Sequence, residues 1–164
     1  MTNIYSSTPR QVRKFVERCF NAGLPPFIKS SPGIGKSAIM KQIAKDYNLE
    51  LIDIRLSMCD PTDLNGLPCF NEKTGKAEFR PFDMFPVVGT PLPEGKNGWL
   101  MFFDEFNSAP KSIQAASYKI MLDHMVGMNK LHECVFKGAA GNLQSDRAIV
   151  NPLSTAMQSR VIHL

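Results

Sequence analysis

Hydrophobic and polar positions follow two different periods along the chain, and each change of period marks a predicted element. The first apolar positions recur at helical spacing, at Val12, Phe15, Val16, Cys19 and Phe20. Thr8 suits the N-cap of this helix and Pro9 suits its first position, while Gly23 is a typical stop. The pattern therefore predicts an amphipathic helix between Thr8 and Gly23.

Short apolar runs alternate with helical patterns over most of the remaining sequence. Strands are predicted at residues 26–29, 49–56, 99–103, 134–142 and 161–164. Helices are predicted at residues 38–47 and 110–124, and a last helix is predicted to begin at Asn151 and Pro152 and to end near Arg160. The run at 99–103 is apolar at every position, as in a strand buried on both faces of a parallel sheet. This order of elements favours an α/β fold.

The segment from Cys59 to Gly98 interrupts this alternation and is rich in proline and glycine. Residues 60–66 predict a short helix that stops at Gly66, and residues 71–76 predict the turn of a small hairpin. Loops of this length in a compact domain are usually functional or disordered. A floppy surface insertion and a contact surface both remain open, and we expect exposure among its aromatic residues Phe70, Phe79, Phe82 and Phe85.

The strongest chemical signal is a small-residue loop between the first strand and the following helix, Ser30-Ser31-Pro32-Gly33-Ile34-Gly35-Lys36-Ser37. It matches the phosphate-loop pattern G-x-x-x-x-G-K-[ST], except that Ser30 replaces the first glycine. Backbone N–H groups of such a loop converge on an anion, and the helix N-terminus adds partial positive charge. Lys36 can reach β- and γ-phosphates, and the Ser37 hydroxyl can bind Mg²⁺. A chance turn before a helix is the alternative.

Two later groups stand at the carboxyl ends of predicted strands, where open α/β sheets bind their ligands. Asp104 and Glu105 follow the apolar run, and Asn142 ends a later strand. Together with the phosphate loop, each has a task in nucleotide hydrolysis. Asp104 would hold Mg²⁺, Glu105 would orient the attacking water or accept its proton, and Asn142 would hydrogen-bond that water or the γ-phosphate. A solvated strand end without a function is the alternative for the two carboxylates.

The composition of the chain limits which cellular compartment and which class of partner are expected. The chain has 164 residues, 43% of them hydrophobic, which is enough for the core of one domain. Its net charge of +4 comes from scattered lysines and arginines and does not by itself indicate nucleic acid. The four cysteines lack C-x-x-C or metal-ligand spacing, so we expect reduced thiols, and we expect the three histidines to be structural. Without a signal peptide or a long apolar run, a soluble cytoplasmic protein is expected.

With these motifs in place, the sequence resembles the AAA+ ATPases, and within them the MoxR-like, dynein-related group that carries an insertion in the second helix. Residues 31–37 look like the Walker A motif, and residues 102–110 look like the Walker B motif with its following turn. The other similar stretches are the helix-2 insertion (60–68), the hairpin before sensor one (125–133), sensor one (139–142) and the arginine-finger stretch (151–164). The resemblance covers residues 24–164.

This resemblance implies a three-layer P-loop NTPase sandwich with a parallel five-stranded sheet in the order 5-1-4-3-2. It implies one α/β core domain over residues 1–164, with an insertion at about 60–88 and without the helical lid of the family. The implied nucleotide-binding residues are Ser31, Pro32, Gly33, Ile34, Gly35, Lys36, Ser37, Ala38 and Asp104. Ser37 and Asp104 would hold the metal, and the implied catalytic residues are Glu105, Asn142 and Arg160. Ser108 departs from the family, because an arginine is common at that position.

The function implied by the resemblance is ATP binding and hydrolysis with Mg²⁺ in a homo-oligomeric ring, expected to be hexameric, that remodels a protein partner. Proteins with von Willebrand factor A domains are the implied partner class. A nucleic-acid-linked AAA+ protein, such as a helicase loader or a GTP-driven restriction motor, is one alternative. A nucleotide-dependent scaffold that does not hydrolyse is another.

Overall fold

A computed structural model describes residues 7–143 and 151–164 of the chain. Its strands are β1 (Pro26–Ser30), β2 (Glu50–Arg55), β3 (Leu67–Asn71), β4 (Lys76–Arg80), β5 (Trp99–Asp104), β6 (Met125–Val126), β7 (Asn129–Lys130), β8 (Val135–Asn142) and β9 (Ile162–His163). Its α-helices are α1 (Pro9–Asn21), α2 (Lys36–Asp46), α3 (Pro61–Asn65), α4 (Lys111–Asp123) and α5 (Thr155–Gln158). None of the described helices is long and apolar enough to cross a membrane.

Five strands form the central sheet in the order β2-β5-β8-β1-β9, and every neighbouring pair is parallel. Counted along the five sheet strands, this is the order 5-1-4-3-2, so the predicted topology is confirmed. In such a sheet the carboxyl ends of β1, β5 and β8 meet at the same edge. The loop after β1, the carboxylates after β5 and the end of β8 are therefore brought together.

The alternation of side chains along β5 explains why its whole sequence is apolar. Met101 and Phe103 point to the face covered by α4, while Leu100 and Phe102 point to the face covered by α1 and α2. All four side chains are fully buried. The predicted three-layer arrangement follows, because each face of the sheet buries its own apolar cluster.

The segment between β2 and β5 is ordered around a short helix and a hairpin, as predicted. Gly66 ends α3 with φ +88°, and a Cβ there would overlap the backbone carbonyl of Arg80. The β3–β4 hairpin is held against the β6–β7 hairpin, where Asn129 Nδ2 donates to the Phe79 carbonyl at 3.1 Å. Exposure is expected for part of the aromatic set, and Phe70, Phe79 and Phe82 are exposed, whereas Phe85 is 3% exposed and packs in the core.

The last helix begins later in the chain than predicted. Asn151 does not cap it, because α5 begins at Thr155 and Ser154 is its N-cap, accepting from Met157 N at 3.2 Å. Asn151 instead donates to the Ala109 carbonyl at 2.9 Å through its side chain, and to the Asn107 carbonyl at 2.6 Å through its backbone. These tertiary bonds hold residues 151–154 extended against the turn after β5.

Candidate nucleotide site

The loop between β1 and α2 has the backbone shape that its glycines predict. Gly33 and Gly35 have φ of +80° and +91°, in the left-handed region that favours glycine. Gly35 is also the N-cap of α2 and offers no side chain to the first N–H groups of the helix. Those groups therefore remain available to an anion. Ser30, by contrast, has no left-handed backbone, so its Cβ causes no strain where the motif usually has glycine.

Lys36 lies over this loop and reaches the end of a neighbouring strand. Its Nζ donates to the carbonyls of Ser30 and Ser31 at 3.1 and 3.2 Å, and to Asn142 Oδ1 at 3.2 Å. Asn142 is separated from Lys36 by 106 positions in the sequence. The lysine and the predicted sensor asparagine therefore belong to one site.

The next residue joins the loop to β5. The Ser37 hydroxyl donates to Asp104 Oδ2 at 2.7 Å. The second oxygen of the Asp104 carboxylate, Oδ1, accepts from the backbone N–H of Glu105 at 2.8 Å. A hydroxyl and a carboxylate in contact form a hard oxygen pair of the kind that Mg²⁺ prefers.

Glu105 turns the chain sharply at the end of β5. Its φ of +55° and ψ of +32° are left-handed, which is uncommon for a residue other than glycine. One oxygen of its carboxylate, Oε2, accepts a short hydrogen bond from the Ser57 hydroxyl. Ser57 lies in the 3₁₀ turn Leu56–Met58 after β2. Sequence analysis did not identify Ser57, because its only signal is its place after a neighbouring strand.

Asn107 holds the end of β8 in place. Its side-chain amide donates to the Asn142 carbonyl at 2.7 Å and accepts from the Asn142 N–H at 2.9 Å. The side chain thus extends the β5–β8 ladder beyond its last backbone pair, Phe103 with Ala139. A Cβ at Gly141 would lie 2.5 Å from Asn107 Oδ1, so glycine is required beside this amide. Asn107 is 3% exposed and was also not predicted as a site residue.

Ser108 also contacts Asn142. Asn142 Nδ2 donates to the Ser108 hydroxyl at 3.4 Å, a long bond, while Asn142 Oδ1 faces Lys36. Ser108 does not line the cleft itself but contacts a residue that does. With these contacts, the amide of Asn142 has a defined orientation.

The structure brings most of the predicted residues to one cleft of about 310 Å³, lined by Pro32, Gly33, Gly35, Lys36, Ser37, Ala38, Asp104, Glu105 and Asn142. Ser31 and Ile34 line a second hollow of about 210 Å³ on the other side of the phosphate loop. This hollow is largely apolar and is also lined by Val12, Ile39 and Leu164. Lys36 lines both hollows, which therefore adjoin each other at the phosphate loop.

Arg160 is not part of this cleft. It precedes β9, whose residue Ile162 pairs with Pro26 at the start of β1, whereas the phosphate loop leaves the far end of β1. The two ends of β1, Pro26 and Ser30, are four residue steps or about 13 Å apart at ~3.3 Å per step. Arg160 is exposed and makes no salt bridge with any described residue.

Away from the cleft, the partly buried Lys137 and His124 contact backbone carbonyls. Burial lowers the pKa of Lys137 to about 8, and its Nζ donates to the Ile120 and Met121 carbonyls at the end of α4. Burial likewise lowers the pKa of His124, whose Nε2 contacts the His132 carbonyl at 3.0 Å. The four cysteines are free thiols, and the described residues contain no cluster of metal-ligating side chains.

Comparisons with known proteins show the fold. No protein-family model matches the sequence. The movement and silencing protein TGBp1 of Chrysanthemum virus B is 24% identical over 104 residues, which are 63% of this chain and 44% of that protein. A crystal structure from Cytophaga hutchinsonii, provisionally described as an ATPase, has a TM-score of 0.63 at 21% identity, covering 94% of this chain and 45% of its own. This chain thus spans less than half of either protein, and it shares the α/β fold of the second.

Proposed function

We propose that this protein binds ATP with Mg²⁺ and hydrolyses it. The observation that carries the proposal is the single cleft in which Lys36, the Ser37–Asp104 pair, Glu105 and Asn142 meet. These residues come from three places in the fold: the start of α2, the end of β5 and the end of β8. A chance turn or a solvated strand end would not place a cation, two carboxylates and an amide around one empty volume.

The residues present fit a nucleoside triphosphate and a divalent cation. The helix N-terminus at Gly35 and the Lys36 ammonium supply positive charge for phosphate oxygens. Ser37 and Asp104 supply oxygen ligands for Mg²⁺, which would neutralise charge on the phosphates when bound. In this proposal Glu105 would orient water or accept its proton, and Asn142 would hydrogen-bond the same water or the γ-phosphate.

The hollow beside the loop suits the base of the nucleotide. It is walled by apolar side chains from α1 and α2 and lies next to the phosphate cleft. Ligand sites are commonly apolar with a few convergent polar groups. The proposal therefore assigns the triphosphate to the cleft and the base to the hollow near Val12, Ile34 and Ile39.

Calorimetry and turnover assays with ATP and GTP in parallel test this proposal. Lys36→Ala should lose nucleotide binding, and Lys41→Ala, an exposed lysine on the same helix, is the matched control. Glu105→Gln should bind nucleotide yet hydrolyse it roughly 10²–10⁴-fold more slowly, because it loses a general base. Asp104→Ala should instead weaken Mg²⁺-dependent binding. Unchanged affinity of Lys36→Ala would refute the site, and unchanged turnover of Glu105→Gln would refute the role of Glu105.

The finer part of the proposal is a MoxR-like AAA+ ring, hexameric and cytoplasmic, that remodels a protein partner such as one with a von Willebrand factor A domain. It is supported by the motif resemblance and by the position of Arg160. Since Arg160 lies at the other end of β1 from its own phosphate loop, it would serve the site of a neighbouring subunit. An arginine finger supplied in this way contributes roughly 10³–10⁵ in rate.

Mixing of inactive subunits tests the ring and the finger together. Arg160→Ala and Lys36→Ala proteins should each be inactive, and a mixture should regain partial activity because some interfaces combine an intact loop with an intact arginine. Arg10→Ala, an exposed arginine on α1, is the control and should remain active. Mass measurement in solution with and without ATP should show assembly. Full activity of Arg160→Ala alone would exclude the finger.

A nucleic-acid-linked ATPase is a second candidate, and one feature favours it. Arg10, Lys14 and Arg18 are exposed at four-residue spacing on α1, and none makes a salt bridge with a described residue. Like charges at this spacing disfavour an isolated helix, so a binding role is a reason for them. This candidate expects DNA or RNA to stimulate hydrolysis with steep salt dependence.

A further inference from the structure

A groove distinct from the nucleotide cleft opens beside the carboxyl end of β2. It has a volume of about 690 Å³ and is bounded by β2, the turn Leu56–Met58, α3 and residues 82–84. Its apolar lining includes three exposed side chains: Met58 is 79% exposed, Phe82 is 39% exposed and Met84 is 41% exposed. Flexible methionines beside an aromatic ring adapt to partners of varied shape.

The rim of the groove has the opposite charge to the protein as a whole. Asp53, Asp63 and Asp83 line it against a single cation, Arg55, which leaves a net charge of −2 in a chain of net charge +4. None of the three aspartates makes a salt bridge with a described residue. The pKa of Cys59 inside the groove is raised by burial and, further, by the nearby carboxylates, which is the sign of a negative local potential.

The backbone of β2 is open on this side. Among the described strands it pairs only with β5, so it is an edge strand. Asp53, Ile54 and Arg55 are consecutive and all line the groove. Because successive side chains of a strand point to opposite faces, the groove follows the edge of the sheet and does not lie on one face. An extended segment can pair with such an edge and place alternate side chains in a pocket.

We propose that this groove binds an extended segment of a partner protein in which apolar residues alternate with lysine or arginine. The apolar side chains would cover Met58, Phe82 and Met84, and the basic ones would lie beside the aspartates of the rim. The negative rim disfavours a nucleic acid. The proposal deepens the proposed function by naming the chemistry of the remodelled partner and rests on it for that role only, since binding in the groove does not require hydrolysis.

The groove adjoins the candidate active site. Met58 belongs to the same turn as Ser57, whose hydroxyl donates to Glu105. The occupant of the groove would therefore contact the turn that holds the Glu105 carboxylate. This adjacency gives the experiment a second readout, the rate of hydrolysis with and without the occupant.

Fluorescence anisotropy with labelled peptides tests the proposal on the nucleotide-free wild-type chain. The probe alternates leucine and lysine; one control alternates leucine and glutamate, and another alternates serine and lysine. The leucine–lysine peptide should bind, more weakly as salt increases, and both controls should bind at least tenfold more weakly. Equally tight binding of the leucine–glutamate peptide would overturn the charge argument, and equal binding of the serine–lysine peptide would overturn the apolar one.

Paired variants locate the binding. Asp53→Asn with Asp83→Asn should weaken the leucine–lysine peptide about three- to tenfold and flatten its salt dependence, since exposed charge pairs contribute modestly. Glu72→Gln with Glu94→Gln, two exposed acids outside the groove, is the matched control and should change nothing. Met58→Ser should weaken the peptide without changing the salt dependence. Wild-type affinity in both groove variants would overturn the proposal.

Two further measurements separate this proposal from its alternatives. Lys36→Ala should bind the peptide as wild type does, so a failure of the proposed ATPase function leaves the groove result readable. Sedimentation of the wild-type chain without peptide should show no association that depends on Met58. If the chain self-associates and Met58→Ser abolishes that association, a second copy of this chain occupies the groove, and the proposal of a partner segment is refuted.

Discussion

Removal of the Asn107 side chain should loosen the end of β8 and lower both stability and turnover. Asn107→Ala deletes the donor to the Asn142 carbonyl and the acceptor from the Asn142 N–H, at 2.7 and 2.9 Å. Asn107 is 3% exposed and makes both of these bonds with its amide group. The main loss is therefore the pairing of two backbone groups at the edge of the core.

The magnitude follows from the two orphaned groups. A donor or acceptor left unsatisfied on burial costs about 1–3 kcal/mol. Asn142 is half-buried, so water can replace part of the pairing, and the lower half of this range applies to each group. We expect a loss of about 2–4 kcal/mol in the free energy of unfolding. For a chain of this size that is roughly 4–16 °C in melting temperature.

Urea unfolding and steady-state hydrolysis should be measured on the same preparations. Asn107→Asp keeps an acceptor for the Asn142 N–H but turns a carboxylate toward the Asn142 carbonyl, so it should be destabilised as well. Ser108→Ala removes only the 3.4 Å contact and serves as the control, with a loss below about 1 kcal/mol. In Asn107→Ala, turnover should fall more than nucleotide affinity, because Asn142 and not the phosphate loop is released.

Two results would refute this reasoning. If Asn107→Ala unfolds within about 0.5 kcal/mol of wild type, the amide is not an essential extension of the ladder. If Ser108→Ala loses as much stability as Asn107→Ala, the loss belongs to the turn after β5 and not to the pairing with β8.

Three other predictions rest on contacts outside that pair. Ser57→Ala releases one oxygen of the Glu105 carboxylate from the Ser57 hydroxyl and leaves it available to water, so basal hydrolysis should rise up to about tenfold; a slower enzyme would show instead that Ser57 orients the carboxylate. Burial lowers the pKa of Lys137 to about 8, so the protonated side chain costs stability in the folded state. Relative to Lys137→Met, the free energy of unfolding of wild type should rise by up to about 3 kcal/mol between about pH 8 and pH 10.5, and by less where solvent still reaches the ammonium. Chemical denaturation across this pH range measures the difference, and a constant difference would contradict the prediction. Deletion of residues 71–76 shortens the exposed β3–β4 hairpin, so it should impair partner remodelling and leave basal hydrolysis intact. If circular dichroism shows that the deletion variant is unfolded, the hairpin is instead part of the core.

Local sequence was sufficient for elements whose stabilising groups lie within a few residues. The α1 helix begins where Thr8 and Pro9 predict it, because Thr8 and Gln11 bond each other's backbone N–H groups within one turn. The left-handed turns at Gly33 and Gly35 likewise follow from the absence of a Cβ. The alternation of short apolar strands with helices predicted the α/β class, whereas the strand order was predicted from the resemblance to the AAA+ ATPases.

Where partners were distant in the chain, local patterns failed. Asn151 and Pro152 have the local signature of a helix start, yet the bonds from Asn151 to Asn107 and Ala109 hold that stretch extended. Phe85 lies in a segment rich in proline and glycine, but it is buried in the core. At Asn151, tertiary bonds outweighed a local N-cap preference of about 1 kcal/mol.

For the candidate site, the sequence by itself determined which chemical groups are available, and the tertiary structure decided how they meet. Lys36 could be identified from the phosphate-loop pattern, and Asp104, Glu105 and Asn142 could be identified because they stand at the ends of strands. The contacts of Ser57 with Glu105 and of Asn107 with Asn142 could not, since serine and asparagine in a turn have many possible partners. Hydrogen bonds across 35 and 48 positions form only after the parallel sheet has aligned the ends of its strands.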